Sequence, residues 1–255
     1  PFQYPTSLRP DVLPPGPDAL LRARGYGAQS GSGGPYDSSG LPLVEGRDWD
    51  TGAQARLVAG PVEVAAALTR GSACLPVVDD DNQGLAWSGR VQWRPTFGLL
   101  LAVSGERGAY LSDDAAYGYW SRELLEEQHQ TVLAFDGEYS AGHALLRVEL
   151  LRSAWEAPTV RPGQPLVAWS AVVEGRFKLA PGLEAALRGE RLGFDQLTGR
   201  QLAGTWDAPV WRAEAGLGRA LRRNLRVMAS YQYNWRDGGP RREAGLVAGR
   251  AVVSF

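Results

Sequence analysis

From about residue 49 onward the chain alternates apolar and polar residues with a period of two, in segments far longer than ordinary strands. Residues 224–236 show it best. Leu225, Val227, Ala229, Tyr231, Tyr233 and Trp235 stand against Arg226, Met228, Ser230, Gln232, Asn234 and Arg236. Residues 84–94 repeat it, with Leu85, Trp87, Gly89, Val91 and Trp93 against Ser88, Arg90, Gln92 and Arg94. A period of two puts alternate side chains on opposite faces of a strand. The pattern predicts strands at 49–60, 61–70, 84–94, 97–107, 131–141, 143–152, 165–179, 182–193, 208–220, 224–236 and 243–255. Most run about 10 to 14 residues, against a usual five or six.

The connections add a second regularity. Gly60-Pro61, Pro95-Thr96, Gly142, Ala180-Pro181 and Arg222-Arg223 read as tight turns. Between them lie longer loops at 71–83, 108–130, 153–164, 194–207 and 237–242. Short and long connections alternate throughout, so one end of the sheet is trimmed and the other elaborated.

Alternation alone does not say which face is buried. A soluble β-domain turns its apolar face inward; a barrel in lipid turns it outward. Strand length favours lipid, since a tilted strand needs about 9–11 residues to cross a bilayer. The apolar stripes also carry many small residues: Ala171, Gly175, Ala185, Gly189, Ala213, Ala215, Ala229, Gly249 and Ala251. Lipid fills the gaps beside them, whereas a soluble core would hold costly voids. Aromatics gather near the stripe ends, with Trp93, Phe97, Tyr139, Phe177 and Phe255 at one side and Trp49, Trp211, Tyr233 and Trp235 at the other. Such belts mark the two membrane interfaces. The longest apolar run, Phe97 to Val103, is about seven residues, and a spanning helix needs roughly 20. The reading is therefore all-β: an antiparallel transmembrane β-barrel with about eleven strands in residues 49–255.

Residues 1–48 form a separate leading segment rich in Pro, Gly and Ser, read as an extracellular loop. Pro1 shows neither a charged n-region nor an apolar h-region. Either a signal has been removed or the chain begins inside a longer protein, and an odd strand count favours the second. Single-chain bacterial barrels have even numbers, so 12, 16 or 18 strands are the alternatives.

On this reading the polar stripes line an interior. The candidate lining residues are Arg56, Arg90, Glu138, Arg147, Glu149, Glu174, Arg176, Lys178, Glu184, Arg188, Arg212, Glu214, Arg226 and Arg250. If Ala180-Pro181 centres its hairpin, Lys178 opposes Glu184 and Glu174 opposes Arg188. About Gly142, Glu138 meets Arg147. Opposite charges across strands stabilise by about 0.2–1 kcal/mol each, so the pairs can brace the wall as readily as they contact a solute.

The remaining chemistry is sparse. Net charge is -1, so no basic excess points to nucleic acid. One cysteine, Cys74, and two histidines, His129 and His143, offer no metal-ligand spacing, and no cofactor or metal is expected. Ser140 near His143 falls at a tight turn, where a hydroxyl and an imidazole meet by chance, and no enzyme is expected. Asp79-Asp80-Asp81-Asn82 is either a Ca²⁺-binding loop of hard oxygens or a solvated tip. In loop 108–130, Ser121 can cap a helix leading into Glu123, Glu126 and Glu127. That segment either folds inward as an acidic constriction or packs over the rim.

The strands, the one-sided loops and the ending Gly249-Arg250-Ala251-Val252-Val253-Ser254-Phe255 together resemble the bacterial outer-membrane porins over residues 49–255. Phe135-Asp136-Gly137-Glu138-Tyr139-Ser140 and Asn224 to Tyr231 resemble wall strands of larger porins, including the phosphate-selective type, although that type's run of interior lysines is absent. The resemblance implies a water-filled channel in the bacterial outer membrane for small hydrophilic solutes. It also implies that Phe255 signals to the barrel-assembly machinery, that the partners are outer-membrane lipid and such solutes, and that a homotrimer is a candidate assembly. A structural barrel filled by a plug or partner protein is the alternative.

Overall fold

The computed structural model describes residues 43–44, 50–74, 84–110, 128–156, 164–198, 203–205, 209–236 and 243–253. Its thirteen strands are β1 (Gly52–Ala59), β2 (Val62–Thr69), β3 (Ala86–Thr96), β4 (Leu99–Ala109), β5 (His129–Ala141), β6 (Ala144–Trp155), β7 (Leu166–Ala180), β8 (Leu183–Phe194), β9 (Gln196–Thr198), β10 (Ala203–Thr205), β11 (Val210–Arg222), β12 (Leu225–Arg236) and β13 (Glu243–Val253). Eleven of them form one antiparallel meander, ordered β1-β2-β3-β4-β5-β6-β7-β8-β11-β12-β13. Each strand pairs with the next by simple hairpins. Among the described residues β1 and β13 do not pair with each other, and each has one edge without a partner strand.

All eleven expected strands are present. The short pair β9 and β10 forms its own small sheet inside the 194–207 loop. Three-residue strands carry no readable period, which is why this hairpin escaped the sequence. Three turns sit one or two residues later than expected, at Phe97-Gly98, Pro181-Gly182 and Arg223-Asn224. Glycine explains the first two. Gly98 has φ +81° and Gly182 has φ +72°, and a proline cannot supply that geometry. Pro95 instead lies within β3, at the register irregularity between Trp93 and Thr96, where a missing amide hydrogen is tolerated.

The two faces differ as the alternation requires. In β12, Ala229, Tyr231, Tyr233 and Trp235 are exposed, while Arg226, Met228, Ser230 and Gln232 are half-buried and Asn234 is buried. The same contrast runs through the sheet. Trp87, Val103, Leu133, Leu150, Leu187 and Leu217 are large, apolar and exposed on one face. Most charges occupy the other, less accessible face. A soluble fold would reverse this arrangement.

Toward the long-loop end the polar face changes character. Tyr110, Val132, Trp155, Leu166 and Phe194 are buried there, in the alternation set that carries charges further along. Gln130 on β5 joins them. Its side-chain amide donates to the Leu43 carbonyl and to Ser153 Oγ, each at 2.8 Å, and its Oε1 accepts from the Cys74 amide at 2.9 Å. Segment 43–44 and the chain after β2 are thereby fastened across the ends of β5 and β6. The alternation gave no hint of this apolar cap on a face read as uniformly polar.

Candidate functional site: a ladder of alternating charge

Hairpin register places charged residues side by side across the polar face. Glu138 on β5 opposes Arg147 on β6, Arg147 opposes Glu174 on β7, Glu174 opposes Arg188 on β8, and Arg188 opposes Glu214 on β11. Five adjacent strands thus present acid, base, acid, base, acid in one row. The neighbouring row runs Asp136, Glu149, Val172, Glu190, Arg212 and Asn234.

The ion pairs follow chemistry as well as register. Glu138 accepts from Arg147 Nε at 2.6 Å, as its hairpin position suggests. Glu174 lies opposite Arg188, yet its carboxylate pairs with Arg176 on its own strand and lies 4.0 Å from Arg147. Arg188 pairs with Glu190, also on its own strand. Glu190 pairs in turn with Arg212 at 3.1 Å, and Arg212 donates to Asn234 Oδ1 at 2.8 Å. Lys178 lies opposite Glu184, but Glu184 pairs with Arg226 from two strands away. Gly218 on the intervening β11 explains the reach, since its missing side chain opens the space that Arg226 crosses.

Two pairs are bidentate. Arg56 grips Glu63 at 2.6 and 2.8 Å. Arg90 grips Asp136 with both contacts at 2.6 Å, reaching across β4 where the small residues Ser104, opposite Arg90, and Ala102, opposite Asp136, intervene. Such fork-to-fork pairs fix geometry as well as charge. Arg90, Gln92, Asp136, Glu138, Arg147, Glu149 and Glu174 line a cleft of about 320 Å³ on this face.

Of the residues expected on this face, Arg56, Arg90, Glu138, Arg147, Glu149, Glu174, Arg176, Glu184, Arg188, Arg212, Glu214 and Arg226 share its rows or ion pairs. Lys178 and Arg250 extend the same face toward the tight turns, Arg250 opposite Met228. Glu63, Asp136, Glu190 and the hub Gln130 were missed. The first three were legible, because Asp136 shares parity with Glu138, Glu190 with Arg188, and Glu63 lies one turn from Arg56. Phe255, the acidic segment Glu123–Glu127 and Asp79–Asn82 lie outside the described residues. Ser140 and His143 flank the β5–β6 turn and serve as backbone partners: the Ser140 amide donates to the Gly98 carbonyl, and the His143 carbonyl accepts from Lys178.

At the long-loop end, Glu156 follows β6 and gathers several donors. Arg107 donates to it at 3.0 Å, the His129 amide donates to it at 3.2 Å, and its backbone carbonyl accepts from the Tyr110 hydroxyl at 2.7 Å. Burial pushes the Glu156 carboxyl up, but the His129 amide and the Arg107 guanidinium outweigh it and hold it below its ordinary value.

The sequence matches no protein-family model and no curated protein sequence. Solved structures do match the fold. A porin refined at 1.8 Å superposes with TM-score 0.55 at 11% identity, covering 86% of this chain and 68% of that one. An anion-selective porin from Comamonas acidovorans gives 0.54 at 9%, covering 78% and 55%. A loop-deletion variant of OmpT, an outer membrane protein of Vibrio cholerae, gives 0.54 at 16%, covering 78% and 61%. This chain thus spans only 55% to 68% of the length of these proteins. The fold is that of bacterial outer-membrane β-barrels of the porin type.

Proposed function

We propose that this sheet is the greater part of an outer-membrane porin wall, lining a water-filled channel for passive diffusion of small hydrophilic solutes. The alternating charge ladder from Glu138 to Glu214 carries the reading. Charges cannot face lipid cheaply, so the opposite face takes the bilayer and this one takes water. A wall of both signs, held in fixed pairs, offers polar solutes donors and acceptors without a dominant field of either sign. The open edges of β1 and β13 need partner strands, since an unpaired edge is not tolerated in hydrocarbon. Further strands of the full-length protein would close the barrel. On the same likeness we take outer-membrane lipid, the barrel-assembly machinery and small hydrophilic solutes as partners and a homotrimer as a candidate assembly, and assign no catalytic role.

The second reading is a barrel whose interior is filled. The Gln130 hub favours it, because segment 43–44 and Cys74 are fastened over the polar face at the long-loop end. Planar-bilayer conductance of the full-length protein separates the two. Discrete ohmic channels support the porin reading. Absence of conductance that appears only after Gln130→Ala would establish the filled barrel instead.

A further inference from the structure

Toward the long loops, the apolar face of β6 and β8 carries two arginines, where lipid would leave a cation without partners. Arg191 on β8 shares its alternation set with Leu183, Ala185 and Leu187, and lies opposite Ala171 on β7 and Trp211 on β11. Its guanidinium carbon stands 4.6 Å from the Trp169 ring centre and 4.4 Å from the Trp211 ring centre. The cation is clamped between two indoles. Gly193 makes room for this clamp. A Cβ at that position would run into the Trp169 ring, so glycine lets Trp169 lie across its cross-strand partner toward Arg191. The second cation, Arg152 on β6, lies directly opposite Trp169 and is exposed on the same face.

Nothing described neutralises these charges. Arg191 Nε is buried and has no hydrogen-bond partner among the described residues. Neither Arg152 nor Arg191 pairs with a carboxylate among the described residues, whereas Arg107, one row nearer the loops, is paired with Glu156. Along Arg191's own row the first carboxylate is Glu243, three strands away. Stacking between indoles holds a guanidinium in place without cancelling its charge. A guanidinium is a planar fork of donors, the geometry that fits a phosphate.

Depth completes the argument. Both arginines lie in the last third of their strands, toward the long loops and away from the tight turns. That is headgroup level on the loop side, where an arginine on the lipid face costs far less than at the midplane. We propose that Arg152, Arg191, Trp169 and Trp211 form a docking site for the phosphate-bearing headgroup of an outer-leaflet lipid, with its acyl chains lying against the apolar strands below. The site rests on the bilayer placement of the apolar face and not on conduction through the barrel.

Native mass spectrometry of the full-length protein in neutral detergent tests it, with titrations of phosphatidic acid, phosphatidylcholine and inorganic phosphate. Phosphatidic acid should bind in preference to phosphatidylcholine. Arg152→Gln and Arg191→Gln should each weaken that binding about fivefold, and Arg191→Lys, which keeps charge but loses the planar fork, should fall between. Arg223→Gln, which removes the same charge at the tight-turn end, should bind as the parent does. Arg152 makes no side-chain bond among the described residues, so its variant keeps the question open should the Arg191 variants fail to fold. Equal phosphatidic acid binding by parent and Arg152→Gln, equal binding of phosphatidylcholine, or displacement by inorganic phosphate at equal concentration would each overturn the lipid assignment. A parent that does not conduct yet selects phosphatidic acid would sink the channel and leave this site standing.

Discussion

At the scale of single residues, the clearest demands come from carboxylates. Glu190 is almost wholly buried between Arg188 and Arg212. Removing its charge would take from two guanidinium groups the carboxylate they share in a crowded wall, and breaking a buried pair is severe. Glu190→Gln should cost about 3 kcal/mol in urea unfolding from vesicles, far more than Glu138→Gln, whose carboxylate is partly solvated. Glu156 makes a pH-dependent contribution instead. Its folded pKa lies below its ordinary 4.5, so the stability it adds is complete above that value and is lost as pH falls through the folded pKa. The urea midpoints of the parent and Glu156→Gln should therefore differ near neutrality and converge as pH drops below 4.5. These roles were unevenly legible. Parity put Glu138, Arg147 and Arg188 on one face, but parity cannot say which neighbour a long guanidinium will choose. Arg226 reaching Glu184 over Gly218 is decided in three dimensions.

At the scale of elements, the hairpins separate two kinds of glycine. Gly60 and Gly142 have positive φ but open space where a side chain would go. Gly98 has positive φ and also sits against the Ser140 carbonyl, while its own carbonyl accepts from the Ser140 amide. Alanine should cost about 1 kcal/mol at Gly60 or Gly142, from backbone strain alone. At Gly98 it should cost clearly more, and the difference is measurable as a lower unfolding midpoint for Gly98→Ala than for Gly142→Ala. Every long strand was readable from its period. Turn centres were less so, because proline and glycine punctuate alike in sequence while only glycine supplies the left-handed backbone. The β9–β10 hairpin and the apolar cap about Trp155 and Tyr110 were invisible for a different reason. Both depend on the loops folding back, and loop contacts have no period.

At the scale of the molecule, the sheet is a two-faced wall whose apolar side is meant for hydrocarbon. Leu217 stands mid-strand on that side, exposed in the isolated chain. Leu217→Arg should destabilise the folded protein in vesicles by about 2–4 kcal/mol, whereas Ser230→Arg, one strand over on the polar face, should cost much less. Equal costs would mean that the two faces do not meet different solvents, and the membrane reading would fall with them.

The charge ladder has a further consequence for how such a wall assembles. Period-two alternation rejects any strand that slips by one residue, because the slip turns apolar side chains into water and charges into lipid. It is blind to a slip of two, which keeps every side chain on its proper face. Between β7 and β8 the charges supply the missing check. Sliding that hairpin two residues in one direction would set Arg176 against Arg188 and Glu174 against Glu190 in place of the observed partners. Like charges directly opposite are destabilising, so the misaligned hairpin is penalised as it forms. Apolar side chains thus choose the face and charged ones count the residues, a proofreading step written into the wall before any solute meets it.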